Sequence, residues 1–302
     1  MLSVVFFRRL AFVTALFAYL QIALGGLVRV SGSGLGCPDW PLCHGRPYPP
    51  ANIHSIIEYS HRTVGSITGV LIIATVVLAW LVFRQVRPLV AWIASASLVA
   101  IAAEGGLGAL VVANALSPWL VVVHLGLAML ILGCLVATAV MSLSPSAGAR
   151  EPSFTRLLVL ASAATYVMLL TGSTVVASSA DQRCNTWPLC GSGFTPSFAG
   201  VDAFTMLHRG VVLLVSILLV YVLVQAMRRP GLSGVAIATL VVLALQIAVG
   251  AGAALTDGAL FNGLHVAMAT LVWTGILSSA LLTLPRADRA PAISLSAEKT
   301  SA

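Results

Sequence analysis

The sequence predicts an all-α membrane protein with eight transmembrane helices. These form two tandem four-helix bundles related by a pseudo-twofold axis along the membrane normal. Three observations carry that expectation: a near absence of charge, eight apolar runs of bilayer length, and an internal repeat. Of 302 residues, 59% are hydrophobic and 8% are charged, with a mean hydropathy of +1.02. Soluble domains carry about 25% charged residues, so a soluble enzyme is excluded, and so is a disordered chain. The net charge is +7, but sixteen basic residues spread over the chain form no basic stripe. Nucleic-acid binding is therefore not expected, and the bilayer is the expected partner surface.

The apolar runs follow in order, each close to the roughly 20 residues that cross a bilayer. The first, 10–30, follows Arg8 and Arg9. It is too long for a signal-peptide core and has no small-residue cleavage site after it, so it reads as a retained span. The others lie at 62–83, 89–113, 119–141, 156–178, 205–227, 233–256 and 263–284. Lipid offers no hydrogen bonds to backbone groups, so each should be helical. The polar stretch 142–155 is expected to link two halves, residues 1–141 and 156–284, and the polar tail 285–302 to be disordered. Eleven of the sixteen basic residues fall on the side of the termini, which the positive-inside rule places in the cytoplasm. Both long loops, 31–60 and 179–203, would then face outward from a multi-pass protein of the cell membrane.

The repeat sharpens this. Residues 37–43 read CPDWPLC and residues 184–190 read CNTWPLC, an offset of 147. Gly25 and Gly172 keep that offset, as do His61-Arg62 and His208-Arg209. His124 and His265 head similar segments at an offset of 141. Four spans per copy is an even number, so the copies share one orientation.

His61, His124, His208 and His265 thus form a repeated set, each near the start of an even-numbered span. Ionisable residues inside spans are costly and usually functional. Two imidazoles facing each other across a bundle suit the axial positions of haem iron; two alone leave tetrahedral zinc short of ligands. His44 and His54 lack repeat partners and read as loop residues. Arg62 and Arg209 follow two of the histidines and suit either haem propionates or the membrane interface. Cys37 with Cys43, and Cys184 with Cys190, are expected to form local disulfides on the oxidising side of the membrane. Structural and redox roles are both open for them. Cys134, inside span 4, reads as packing.

The halves differ in ways that matter. Glu58 precedes His61 by three residues, on one face if the helix has begun. The equivalent position in the second half is Thr205. A carboxylate in one half alone could stabilise positive charge or move protons during an oxidation; it could also simply meet a helix dipole. Arg29 has no counterpart, and Glu104, deep in span 3, aligns approximately with Gln246.

The run VRVSGSGLGCPDWPLCHG, the segment EYSHR at 58–62, and single histidines heading spans 4, 6 and 8 resemble the haem A synthases. The likeness covers about residues 8–284. It implies an eight-helix enzyme of two similar bundles that converts haem O to haem A, by successive hydroxylations of one porphyrin methyl group to a formyl group. It implies that His208 and His265 ligate a haem b, and that His61 and His124 ligate the substrate haem, with Glu58 assisting. It implies a Cys37–Cys43 disulfide in the outer loop, with Cys184–Cys190 less general. Haem O synthase would supply the substrate, terminal oxidase assembly would receive the product, and a homo-oligomer is compatible. A non-catalytic dihaem cytochrome b, a membrane thiol oxidoreductase and a parallel-repeat transporter are the competing classes. The first leaves Glu58 without a task, and the second leaves the histidines without one.

Overall fold

A computed structural model of the chain describes residues 4–143, 151–184, 186–190, 195–256 and 258–285. Most of the expected linker, and the tail from 286, lie outside the described residues. Among the described residues eight long helices appear: α1 (Val4–Val30), α2 (Ile53–Phe83), α3 (Pro88–Ala113), α4 (Pro118–Met141), α5 (Pro152–Ala177), α6 (Asp202–Met227), α7 (Ser233–Thr256) and α8 (Ala259–Thr283). All eight are long and apolar enough to cross a membrane. Among the described residues no strand forms, only one isolated bridge between Cys43 and Arg46.

Local signals set the helix starts. Proline opens α3, α4 and α5, where its missing N–H is not needed. Asn52 caps α2 by accepting the N–H groups of His54 and Ser55 at 3.0 and 3.3 Å. The α2 helix therefore begins nine residues before the apolar run at 62. The first turns are too polar to register as span, yet they carry Glu58 and bring it onto the helix of His61.

Each half closes into a ring. Helix α1 packs on α2 and α4, and α3 packs on α2 and α4; likewise α5 packs on α6 and α8, and α7 on α6 and α8. The histidine-bearing helices α2 and α4 thus lie diagonally opposite, as do α6 and α8. The halves meet through α1 with α8, α4 with α5, and α4 with α8. Exchanging the two halves leaves that contact pattern unchanged, as a twofold axis passing by α4 and α8 requires. Small residues permit the close approach. A Cβ on Gly133 would stand 2.8 Å from the Trp273 ring. Trp273 in turn donates its indole N–H to Ser162 O at 3.1 Å, and Tyr166 OH donates to Gly126 O at 3.0 Å.

The two bundle ends differ in chemistry. At the linker end, Arg8 and Arg87 donate to the carbonyls of Ser142 and Leu143 at 2.9 and 2.8 Å, where the α4 dipole is negative. Arg229 there pairs with Glu151 at 2.5 Å and lies over the Phe154 ring. The opposite end carries the two cysteine loops and all four histidines. Apolar side chains such as Val99, Leu213, Leu214 and Ile217 point outward, as a lipid-facing surface demands.

Candidate haem site

Each of the four histidines sits in the same kind of cradle. A glycine on the preceding helix leaves room for the ring, and a polar residue on that helix meets a ring nitrogen. A Cβ on Gly25 would lie 3.2 Å from His61 Cε1; on Gly108, 3.4 Å from His124 Cε1; on Gly172, 2.9 Å from His208 Cε1; on Gly250, 2.9 Å from His265 Cε1. Two of those distances are shorter than real Cβ contacts, so the ring occupies space that only glycine leaves free.

The polar partners are Gln21, Glu104, Thr171 and Gln246. Glu104 Oε1 lies 3.1 Å from His124 Nδ1, which is buried and makes no hydrogen bond as placed. Thr171 Oγ1 lies 2.9 Å from His208 Nδ1, and its own proton goes to Met168 O at 2.7 Å. The hydroxyl is then an acceptor toward His208, which fixes Nδ1 as the protonated nitrogen and leaves the Nε2 lone pair for a metal. Gln246 Nε2 lies 3.0 Å from His265 Nδ1 and 3.4 Å from its Nε2. Gln21 Nε2 lies 3.2 Å from His61 Nε2, and the buried His61 Nδ1 has no hydrogen-bond partner. His61 is therefore the exception, since its partner meets the outer ring nitrogen.

Within each bundle the two histidines come from helices that stand diagonally across the ring, His61 with His124 and His208 with His265. Among the described residues no cluster of three or more His, Cys, Asp or Glu could hold a bare metal ion. Two imidazoles on diagonal helices, glycine-made space beside each, and two orphaned ring nitrogens, on His61 and His124, fit a planar macrocycle with two axial positions. They do not fit tetrahedral zinc.

Beside His61 sits the one-sided carboxylate. Glu58 is 3% exposed. Its Oε2 accepts the Cys37 N–H at 2.8 Å, and its Oε1 accepts from Arg62 Nη2 at 2.5 Å. Arg62 spends its other terminal protons on the first loop: Nη1 donates to Asp39 O and Leu42 O at 2.6 and 2.7 Å, and Nη2 to Cys37 O at 2.7 Å. All four terminal N–H groups of Arg62 thus hold the loop and Glu58, which places it as a clamp and leaves only Nε for a propionate. Among the described residues Arg209 is less committed, donating from Nη1 to Pro188 O at 3.1 Å and to Cys190 Sγ at 3.8 Å. At the Glu58 position of the second bundle, Thr205 Oγ1 is buried without a hydrogen-bond partner.

Both cysteine pairs are bonded, Cys37–Cys43 and Cys184–Cys190, with S–S distances of 1.98 and 2.05 Å. The first loop is tied further. Asp39 accepts the N–H groups of His44 and Gly45 at 2.6 and 2.7 Å, and the Gly45 bond leads in holding its carboxyl below the usual range. His44 Nε2 lies 2.9 Å from Gly36 O, and His54 Nδ1 lies 3.0 Å from Ser33 Oγ, so both unrepeated histidines serve the loop. Arg29 pairs across the bundle boundary with Asp181 at 3.3 Å. Cys134 is a half-buried free thiol on α4.

Sequence reasoning singled out the histidines and Glu58 but passed over Gln21 and Thr171. The signal was present: residues 21–25 read QIALG, residues 246–250 read QIAVG, and Glu104 stands four residues before Gly108. One helical turn sets polar partner and glycine on one face.

Comparison with known proteins identifies the family. The family COX15-CtaA, described as cytochrome oxidase assembly protein, matches residues 8–277. The heme A synthase of Bacillus pumilus is 31% identical over 241 residues, covering 74% of this chain and 76% of that protein. The heme A synthase of Alkalihalophilus pseudofirmus is 28% identical over 286 residues, covering 91% and 96%. That of Geobacillus kaustophilus is 29% identical, covering 91% and 90%. By its matched sequence, this chain of eight spans belongs to the COX15-CtaA family of cytochrome oxidase assembly proteins, the family of the haem A synthases.

Proposed function

We propose that this chain is a haem A synthase of the cell membrane. It oxidises one porphyrin methyl group of haem O to the formyl group of haem A, by successive hydroxylations, for terminal oxidase biogenesis. The observation that carries the reading is the asymmetry at Glu58: two bundles with matched histidine cradles, and a buried carboxylate beside the histidines of only one. Residues 1–141 are assigned to the substrate haem, held by His61 and His124. Residues 156–284 are assigned to a resident haem b, held by His208 and His265. When bound, haem b supplies one-electron chemistry at its iron. Gly25, Gly108, Gly172 and Gly250 provide space for the ligating rings, and the low-charge bundle interior excludes water. Glu58, fixed by Cys37 N–H and Arg62, presents a carboxylate that stabilises positive charge or takes a proton as the methyl group is oxidised. Arg209, with donors to spare, suits a propionate at the loop end of the second bundle, and Arg62 contributes there in the first through Nε alone.

The excess of basic residues at the linker end supports a cytoplasmic location for both termini. Haem O synthase as supplier and oxidase assembly as recipient follow from the same reading. The test is co-expression with a source of haem O, followed by mass analysis of extracted haems. Haem A should accumulate with the parent chain and be lost in Glu58→Ala and His61→Ala. Unchanged haem O together with haem b alone would overturn the reading in favour of a non-catalytic dihaem cytochrome.

A further inference from the structure

The four cradles are alike in plan but differ in what the partner can do. Glutamine offers a ring nitrogen either its NH2 or its carbonyl oxygen, so Gln21 and Gln246 accept either tautomer of His61 and His265. Thr171 accepts only, because its proton is taken by Met168 O. Glu104 is the remaining case. It is 8% exposed, its Oε1 lies 3.1 Å from His124 Nδ1, and its Oε2 is buried without a hydrogen-bond partner. His124 Nδ1 is itself buried and makes no hydrogen bond as placed, so among the described residues neither of these facing atoms has another partner, and a small turn of the ring would let Oε1 accept from Nδ1–H. Each bundle therefore pairs one histidine whose partner accepts with one whose partner is an adaptable amide.

We infer that Glu104 is a positioning residue that presets His124 as the anchoring ligand of the first bundle. It holds Nδ1 as the protonated nitrogen and so directs the Nε2 lone pair to the iron. His61, whose amide partner meets its Nε2, is the adaptable ligand, and it lies on the side of Glu58. In the second bundle the roles fall on the opposite helices, with His208 preset and His265 adaptable. The inference rests on the haem-ligation reading above. Metal-bound histidines generally depend on such outer partners, whose loss costs on the order of 10–100-fold in affinity.

The test uses the full-length protein carrying haem b, titrated with ferric haem O as the probe. Glu104→Leu keeps comparable bulk but removes the acceptor; Glu104→Gln restores an acceptor of the kind Gln246 supplies. The expected result for Glu104→Leu is roughly 10-fold weaker haem O binding and a high-spin fraction in the haem O spectrum. The haem b signal should stay low-spin, and Glu104→Gln, whose amide can accept from Nδ1–H but does not fix the tautomer, should recover only part of both losses. The unaffected haem b signal reports that the protein is folded. A low-spin haem O spectrum and unchanged affinity in Glu104→Leu overturn the inference alone. Failure of the parent protein to bind haem O at all overturns the ligation reading as well.

Discussion

Glu58 and Cys37 are joined by one hydrogen bond, the Cys37 N–H donating to Glu58 Oε2 at 2.8 Å across 21 residues of sequence. This bond ties the first residue of the disulfide loop to the helix that bears His61. The candidate oxidation site and the loop above it are therefore one mechanical unit. Arg62 completes it by holding Glu58 Oε1 and three loop carbonyls with one guanidinium.

Two substitutions at Glu58 should separate chemistry from support. Glu58→Gln keeps an oxygen for the Cys37 N–H but turns an NH2 toward Arg62, so thermal stability should fall less than in the alanine variant while haem A formation is lost. Glu58→Ala leaves the buried Cys37 N–H and the Arg62 guanidinium without their acceptor, which costs about 1–3 kcal/mol. Thermal unfolding in detergent and haem analysis by mass read the two effects.

Arg62→Lys should loosen the first loop. A lysine has three donors on a flexible stem and cannot reproduce the planar fork that meets four acceptors. The Cys37–Cys43 bond should then be reduced several-fold faster, as followed by thiol labelling. Arg209→Lys should change Cys184–Cys190 less, since Arg209 makes one short bond to a loop carbonyl.

The glycine cradles predict site-specific loss of haem. Gly172→Ala places a methyl group 2.9 Å from His208 Cε1 and should deplete haem b; Gly25→Ala, at 3.2 Å from His61 Cε1, should weaken the first bundle to a smaller degree. Gly210→Ala, with nothing within 4 Å of the added carbon, is the control and should retain full haem content by absorbance.

Asp39 makes the first loop sensitive to acid. Its folded-state carboxyl titrates below the ordinary value, chiefly because the Gly45 N–H donates to the charged form. The stabilisation is thus fully present above the ordinary carboxylate value of about 4. It is lost as pH falls through the lower folded value. Reduction of Cys37–Cys43 by a phosphine should accelerate below about pH 4 in the parent. In Asp39→Asn it should already be faster at neutral pH and depend less on acid. A parallel pH dependence in the two proteins would sink this assignment.

Much of the fold was legible because lipid leaves few choices. An apolar run of bilayer length must be helical, and eight of them appear where the hydropathy put them. Boundaries were less legible: α2 starts at Ile53, well before its apolar run, because Asn52 caps it and loop contacts cover its polar turns. The histidines could be read from the repeat, since duplication copied their spacing. Their partners could not, because Gln21, Glu104, Thr171 and Gln246 stand on different helices from the rings they meet. Arg62 shows the same divide: its sequence position suited either a propionate or the membrane interface, and the fold gives it a loop to hold.

By itself the sequence determined the membrane class, the eight spans, the duplication and the one-sided Glu58. These are properties of composition, period and offset, which are local or self-referential along the chain. Only the tertiary structure decided which helices stand diagonally, which glycine makes room for which ring, and which nitrogen each partner meets. Those depend on contacts between helices packed within ångströms of one another, and no one-dimensional pattern specifies a distance of 3 Å between residues twenty or forty positions apart.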